Sequence, residues 1–148
     1  MSFPAREALS AIDALQRALA AENAAIFGYG VAGARLSGNS RSAAVQYWTG
    51  HRQARDTLTG MITAKGGAPA AAAAYYRLPF AVNSAGAGMA LAAQLEDGVT
   101  AAYLDLVAVA DTRLRTFGAL AMQAAAGRAA YWRGSTEAFP GLKFPPVR

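Results

Sequence analysis

An all-α four-helix bundle with a long crossover between its second and third helices is the fold the sequence predicts, and three observations carry that prediction. Apolar residues make up 54% of the 148-residue chain but aromatic residues only 9%, with alanine supplying nearly half of the apolar count. Alanine is the strongest helix former, and its small side chain lets helices approach closely. Glycine, proline and short polar runs cut the chain into four long segments, and each segment repeats its apolar positions at a 3-4 spacing. Strand-like runs rich in Val, Ile and Thr are missing.

The first helix is expected over 4–36, with Pro4 at its first helical position and the run SGNS (37–40) as its break. Asn39 or Ser40 can cap the second helix, 40–65, which Gly66, Gly67 and Pro69 stop. Asn83 or Ser84 then caps the third helix, 84–110, and Asp111 caps the fourth, 112–133, before Gly134. The tail 134–148 contains EAFPGLKFPPVR, whose three prolines predict a non-helical ending to a single-domain chain. Tight turns make each pair of helices an antiparallel hairpin, whereas the connection 66–82 is long enough to travel along the bundle. Two hairpins joined by one long crossover is a ferritin-like topology rather than an up-down-up-down one.

The chain has no cysteine, which rules out disulfides, thiolate catalysis and zinc-finger chemistry. Its N-terminal run MSFPAREALSAIDAL lacks the basic-then-apolar pattern of a secretory leader. No segment reaches the ~20 uninterrupted apolar residues of a membrane span. A cytoplasmic protein with no membrane partner is therefore expected. The net charge of +5 comes from 14 Lys and Arg against 9 Asp and Glu, but the basic residues are scattered singly or in pairs such as Arg52 and Arg55. Without a dense basic stripe, no nucleic-acid partner is expected.

The heptad positions hold the informative exceptions. In the first helix they are Ile12, Leu15, Leu19, Glu22, Ile26, Tyr29, Gly33 and Leu36. The second gives Ala44, Tyr47, His51, Ala54, Leu58 and Met61, and the third Met89, Ala92, Glu96, Val99, Tyr103, Leu106 and Ala110. The fourth gives Leu114, Phe117, Ala121, Ala124, Arg128 and Tyr131. Each helix thus places one ionisable side chain in its inward stripe. Inward Glu and His at mid-helix are how di-metal carboxylate bundles are built, from one Glu on each of two helices and Glu-x-x-His on the other two. Here Trp48 stands three residues before His51, and the fourth helix carries Ala124, Ala125 and Ala126 at that level, with no Glu or His. Glu22, His51 and Glu96 could hold one iron or manganese ion but hardly two.

A carboxylate buried without metal needs a cationic or hydrogen-bonding partner. Arg128, Arg52 and Arg55 are the candidates, with Arg128 in the stripe itself. A polar layer of Glu22, His51, Glu96 and Arg128 is the expectation, with the hydroxyls of Tyr29 and Tyr103 within reach of the two glutamates. Arg52 and Asp56 are expected to form a surface pair. Gly28, Gly30 and Gly33, inside a helix, read as close-packing positions rather than a phosphate loop.

At ALQRALAAENAAIFGYG, HRQARDTL, LPFAVNS, LAAQLEDGVTAAYLDLVA, RAAYWR and FPGL the chain resembles a bacterial, alanine-rich ferritin-like domain family of unassigned function. These pieces occur in family order and touch almost the whole chain. The resemblance implies a ferritin-like four-helix fold, often assembled through helix faces, and supplies no activity. Family members tend to carry His after the helix-1 glutamate, where this chain has Asn23. Three classes of function remain: a non-catalytic assembly or binding module without a cofactor, a degenerate oxidase or peroxidase with one metal ion, and a small-ligand binder. The first is preferred. A homodimer is expected because Ala18, Ala21, Ala25 and Ala32 form a second small-residue face on the first helix.

Overall fold

A computed structural model describes residues 10–135 and 142. Four helices account for most of it: α1 (Ala11–Gly33), α2 (Gly38–Ala64), α3 (Ala85–Val107) and α4 (Thr112–Arg133). Among the described residues, no helix is long and apolar enough to cross a membrane.

The helix ends follow local chemistry. The Ser10 hydroxyl accepts from the Asp13 N–H at 3.1 Å and caps α1 at Ala11, whereas Pro4, the expected first helical position, lies outside the described residues. Ser37, rather than Asn39 or Ser40, is the N-cap of α2, because Gly38 at φ +55° turns the chain into the helix two residues earlier than expected. Ser84 caps α3 and Asp111 caps α4, the latter accepting from the N–H groups of Arg113 and Leu114 at 2.9 and 3.2 Å. Gly134, at φ +73°, ends α4 in the left-handed conformation. Both α1 and α3 stop three residues short of their expected ends. Past each stop a tight turn folds an apolar side chain back into the core, Leu36 after α1 and Val109 after α3. Of the tail, Gly134, Ser135 and Leu142 alone are described.

Helix α1 packs against α2 and α3, and α3 packs against α4. A Cβ on Gly88, at the start of α3, would sit 3.1 Å from the Ala32 carbonyl near the end of α1, while Arg17 near its start pairs with Asp105 at 3.1 Å. The two helices are therefore antiparallel. With α1–α2 and α3–α4 as hairpins, α1 and α4 run one way and α2 and α3 the other. The connection between α2 and α3 crosses the bundle lengthwise along α1. Gln16 clasps it first, donating to the Ala68 carbonyl at 2.7 Å and accepting from the Ala70 N–H at 2.9 Å. Phe27 then meets Tyr75 and Tyr76, and Val82 is buried in a small cluster with Ala32 and Leu91.

Two expected faces are corrected. Ala18, Ala25 and Ala32 are fully buried inside the bundle, and Ala21 packs on the same core, so this alanine face is not free for a second copy. On α4 the inward stripe is Leu114, Gly118, Ala125, Ala129 and Trp132, while Ala124 is exposed and Tyr131 is 49% exposed. The reason is close approach: a Cβ on Gly118 would lie 3.0 Å from the Leu106 Cβ and 3.3 Å from the Tyr103 carbonyl. Small residues, not the larger apolar ones, thus mark the line where α4 meets α3. Among the three glycines of α1, Gly28 packs tightly against Leu95, whereas Gly30 has open space around it.

This packing makes a contrast testable by urea unfolding. Gly118→Ala, which forces α4 off the α3 backbone, is expected to cost about 1–3 kcal/mol. Gly60→Ala, at an exposed α2 position with nothing within 4 Å of the added carbon, should stabilise by up to about 1 kcal/mol.

Candidate functional site

Each helix sends one charged group into the same layer halfway along the bundle. Glu22 from α1, His51 from α2 and Glu96 from α3 are all buried, at 2%, 2% and 0% exposure. The imidazole lies between the carboxylates, its Nδ1 2.6 Å from Glu22 Oε2 and its Nε2 2.9 Å from Glu96 Oε1. Arg128 reaches in from the flank of α4 and donates from Nε to Glu96 Oε1 at 2.8 Å. Tyr29 on α1 donates to Glu96 Oε1 at 2.6 Å, and Tyr103 on α3 donates to Glu22 Oε1 at 2.7 Å. The structure therefore brings together all six residues singled out above: Glu22, His51, Glu96, Arg128, Tyr29 and Tyr103.

The geometry dictates the protonation. Both ring nitrogens of His51 face carboxylate oxygens, and a neutral ring would present a lone pair to one of them. With two N–H donors, the imidazolium satisfies both. Burial opposes that charge, but the hydrogen bonds to Glu22 and Glu96 and their negative charges overcome it, raising the His51 pKa from 6.5 to about 9. Burial likewise opposes ionisation of Glu96, and its bonds to His51 and Arg128 prevail, holding it below the usual carboxylate range. Burial and the adjacent carboxylates push both tyrosines far above the ordinary phenol range, which keeps them neutral donors. Two anions and two cations leave the layer with no net charge.

Two side chains join the layer that heptad counting missed. Trp132 donates from Nε1 to the Tyr29 hydroxyl at 2.7 Å, and Thr100 donates to the Glu96 backbone carbonyl at 2.8 Å. Trp132 stands four residues after Arg128, one turn along the same flank, so the spacing from the arginine would have found it. A second legible signal is that each tyrosine stands seven residues after a glutamate, Glu22 before Tyr29 and Glu96 before Tyr103. Because α1 and α3 are antiparallel, each tyrosine then lands level with the other helix's glutamate.

Arg52 and Arg55 stay outside the layer. Arg52 lies over the Trp48 ring, 4.6 Å from its centroid, and Asp56 pairs with Arg55 at 2.8 Å instead of with Arg52. Asn23 is buried beside Glu22 but shares none of these hydrogen bonds. A di-metal carboxylate centre does not fit this donor set. His51 spends both nitrogens on carboxylates, Trp48 occupies the position where a further carboxylate would stand, and α4 offers a guanidinium and alanines. No group of three His, Asp or Glu among the described residues is arranged around a metal position. Glu96 Oε2 is the one buried side-chain polar atom among them without a hydrogen-bond partner.

The fold and this layer together define a class: a four-helix bundle with a lengthwise crossover and a self-neutralised ionic centre. Over residues 14–144 the chain matches the model of the family described as "Domain of unknown function (DUF4439)", and it belongs to that family. Among solved structures it is similar to a conserved hypothetical protein from Mycobacterium tuberculosis. That protein is 32% identical, with a TM-score of 0.80 over 84% of this chain and 96% of that one. No curated protein matches the chain.

Removing one charge from the layer strands its partners. Glu22→Ala leaves the Tyr103 hydroxyl and His51 Nδ1 without an acceptor and is expected to cost about 3–5 kcal/mol in urea unfolding. Glu22→Gln, which keeps an acceptor for Tyr103, should cost less; the reverse order would contradict the layer's role. Stability should also depend on pH in a defined way. The His51 pKa is raised, so its contribution is complete below about 6.5 and is lost as pH climbs through about 9. The Glu96 pKa is lowered, so its contribution is present above the ordinary value of 4.5 and is lost on acidification. The thermal midpoint should plateau between these limits, and His51→Gln should flatten the alkaline limb.

Proposed function

We propose that the chain is a non-catalytic ferritin-like module that works by binding or assembly, with a central layer that ties the helices together rather than turning over a substrate. The observation that supports this reading most is the engagement of His51 on both sides. A ligand to iron or manganese must offer a nitrogen lone pair, and each ring nitrogen here is engaged by a carboxylate oxygen. The fourth helix contributes a cation, which repels a metal ion at the same place. Binding or assembly then falls to the outer surfaces, and a homodimer would have to use surfaces other than the buried alanine face of α1.

One observation favours a second reading, a degenerate oxidase or peroxidase with a single iron or manganese ion on Glu22, His51 and Glu96. The unpartnered Glu96 Oε2 is an oxygen that a cation would satisfy. For such an ion to bind, His51 must give up a proton and turn one nitrogen away from its carboxylate.

Metal analysis of protein purified without chelator separates the two. The module reading expects iron and manganese far below one ion per chain, with a thermal midpoint unchanged by added metal. Near-stoichiometric metal that is lost in Glu96→Gln would establish the single-ion reading, and two ions per chain would overturn both.

A further inference from the structure

The helices surround the layer closely along three seams, α1–α2, α1–α3 and α3–α4. Along the fourth, between α2 and α4, the surface opens into a groove of about 600 Å³. Its α2 wall includes Gln46, Tyr47, Gly50 and Gln53, and its α4 wall consists of Ala124 and Arg128. Arg128 is the charged residue of this lining.

The guanidinium is both anchored and incompletely used. Its Nε is fixed 2.8 Å from Glu96 Oε1, and its side chain remains 24% exposed. The Tyr47 ring stands 5.9 Å from the guanidinium carbon and limits its sideways movement. Neither terminal nitrogen has a hydrogen-bond partner among the described residues. A guanidinium held by Nε offers its two terminal nitrogens as a planar fork, which fits a carboxylate or phosphate through paired hydrogen bonds. The side-chain amides of Gln46 and Gln53 also lack partners among the described residues and add neutral donors to the wall. No Asp or Glu lines the groove, so no resident carboxylate competes for the fork, and the overall charge of +5 favours the approach of anions. A cation would meet the arginine, and an apolar occupant would strand the amides.

We infer that the α2–α4 groove binds a small oxyanion, a carboxylate or a phosphate, on the outer edge of the Arg128 guanidinium. This names a ligand class for the binding role proposed above, and it rests on that reading. Metal content and anion binding are measured separately, so either can fail without the other.

The test is titration of ¹⁵N-labelled protein with succinate and with inorganic phosphate, against sodium chloride at matched ionic strength. Saturable shifts are expected at the amides of Gly50, Gln53 and Ala124 and at the Arg128 side-chain N–H, and chloride should not reproduce them. Saturation by succinate alone assigns carboxylates, and saturation by phosphate alone assigns phosphate groups. Arg128→Lys keeps the charge but loses the fork, and should weaken binding by about tenfold. Gln53→Glu places a negative charge in the groove without touching the buried layer, and should weaken binding with the thermal midpoint preserved. Shifts that never saturate with either probe would overturn the inference. So would saturable shifts indifferent to Gln53→Glu, whether or not Arg128→Lys folds.

Discussion

The imidazolium of His51, held between two carboxylates, is the interaction on which the rest of this bundle depends. Helix α2 packs along α1 but makes no extensive seam with α3 or α4. Its one polar side chain in the core spans that gap, bonding α1 on one side and α3 on the other. Burying a charged ring is expensive, and so is burying two carboxylates. The arrangement is tolerable because every charge meets its opposite at hydrogen-bond distance. Remove any one, and the remaining members carry the full cost of their isolation from water.

The layer also has an internal logic of exchange. Glu22 and His51 balance within the first hairpin, and Glu96 and Arg128 balance within the second. Each hairpin's share of the layer is thus electrically neutral by itself but short of hydroxyl donors for its carboxylate. The tyrosines make good that shortage reciprocally, Tyr29 giving to the second hairpin and Tyr103 to the first. Charge balance is therefore local, while hydrogen-bond satisfaction spans the molecule. Rotating α1 against α3 by one position would carry each hydroxyl away from its acceptor, which selects a single register from those that alanine-rich surfaces would otherwise accept.

Much of this was legible in the residues themselves. Caps at Ser84 and Asp111, the Gly66–Gly67 stop and the length of the connection point to four helices and one crossover. A lone ionisable residue in each apolar stripe points to the layer. The misreadings have a common physical origin in the assumption that the largest apolar side chains face inward. On α4 the opposite holds, since Gly118, Ala125 and Ala129 let the helix approach α3, and Tyr131 is left outside while Trp132 turns in. On α1 the same bias cast Ala18, Ala25 and Ala32 as a free surface, when all three are buried inside the bundle. Gln16 as a clasp for the crossover could not be anticipated, because its partners are backbone groups of Ala68 and Ala70, which carry no side-chain signal.

The crossover itself is fastened at its two ends and exposed over 71–74. Severing the chain there would leave α1 with α2 and α3 with α4, each hairpin covalently intact and each carrying half of the central layer. The information that pairs the halves resides in the helices, and the strap contributes chiefly by keeping them at high effective concentration. In that sense the protein is a tethered heterodimer of two helical hairpins, in which the tether sets how quickly the halves meet and the reciprocal tyrosines set whether they recognise each other.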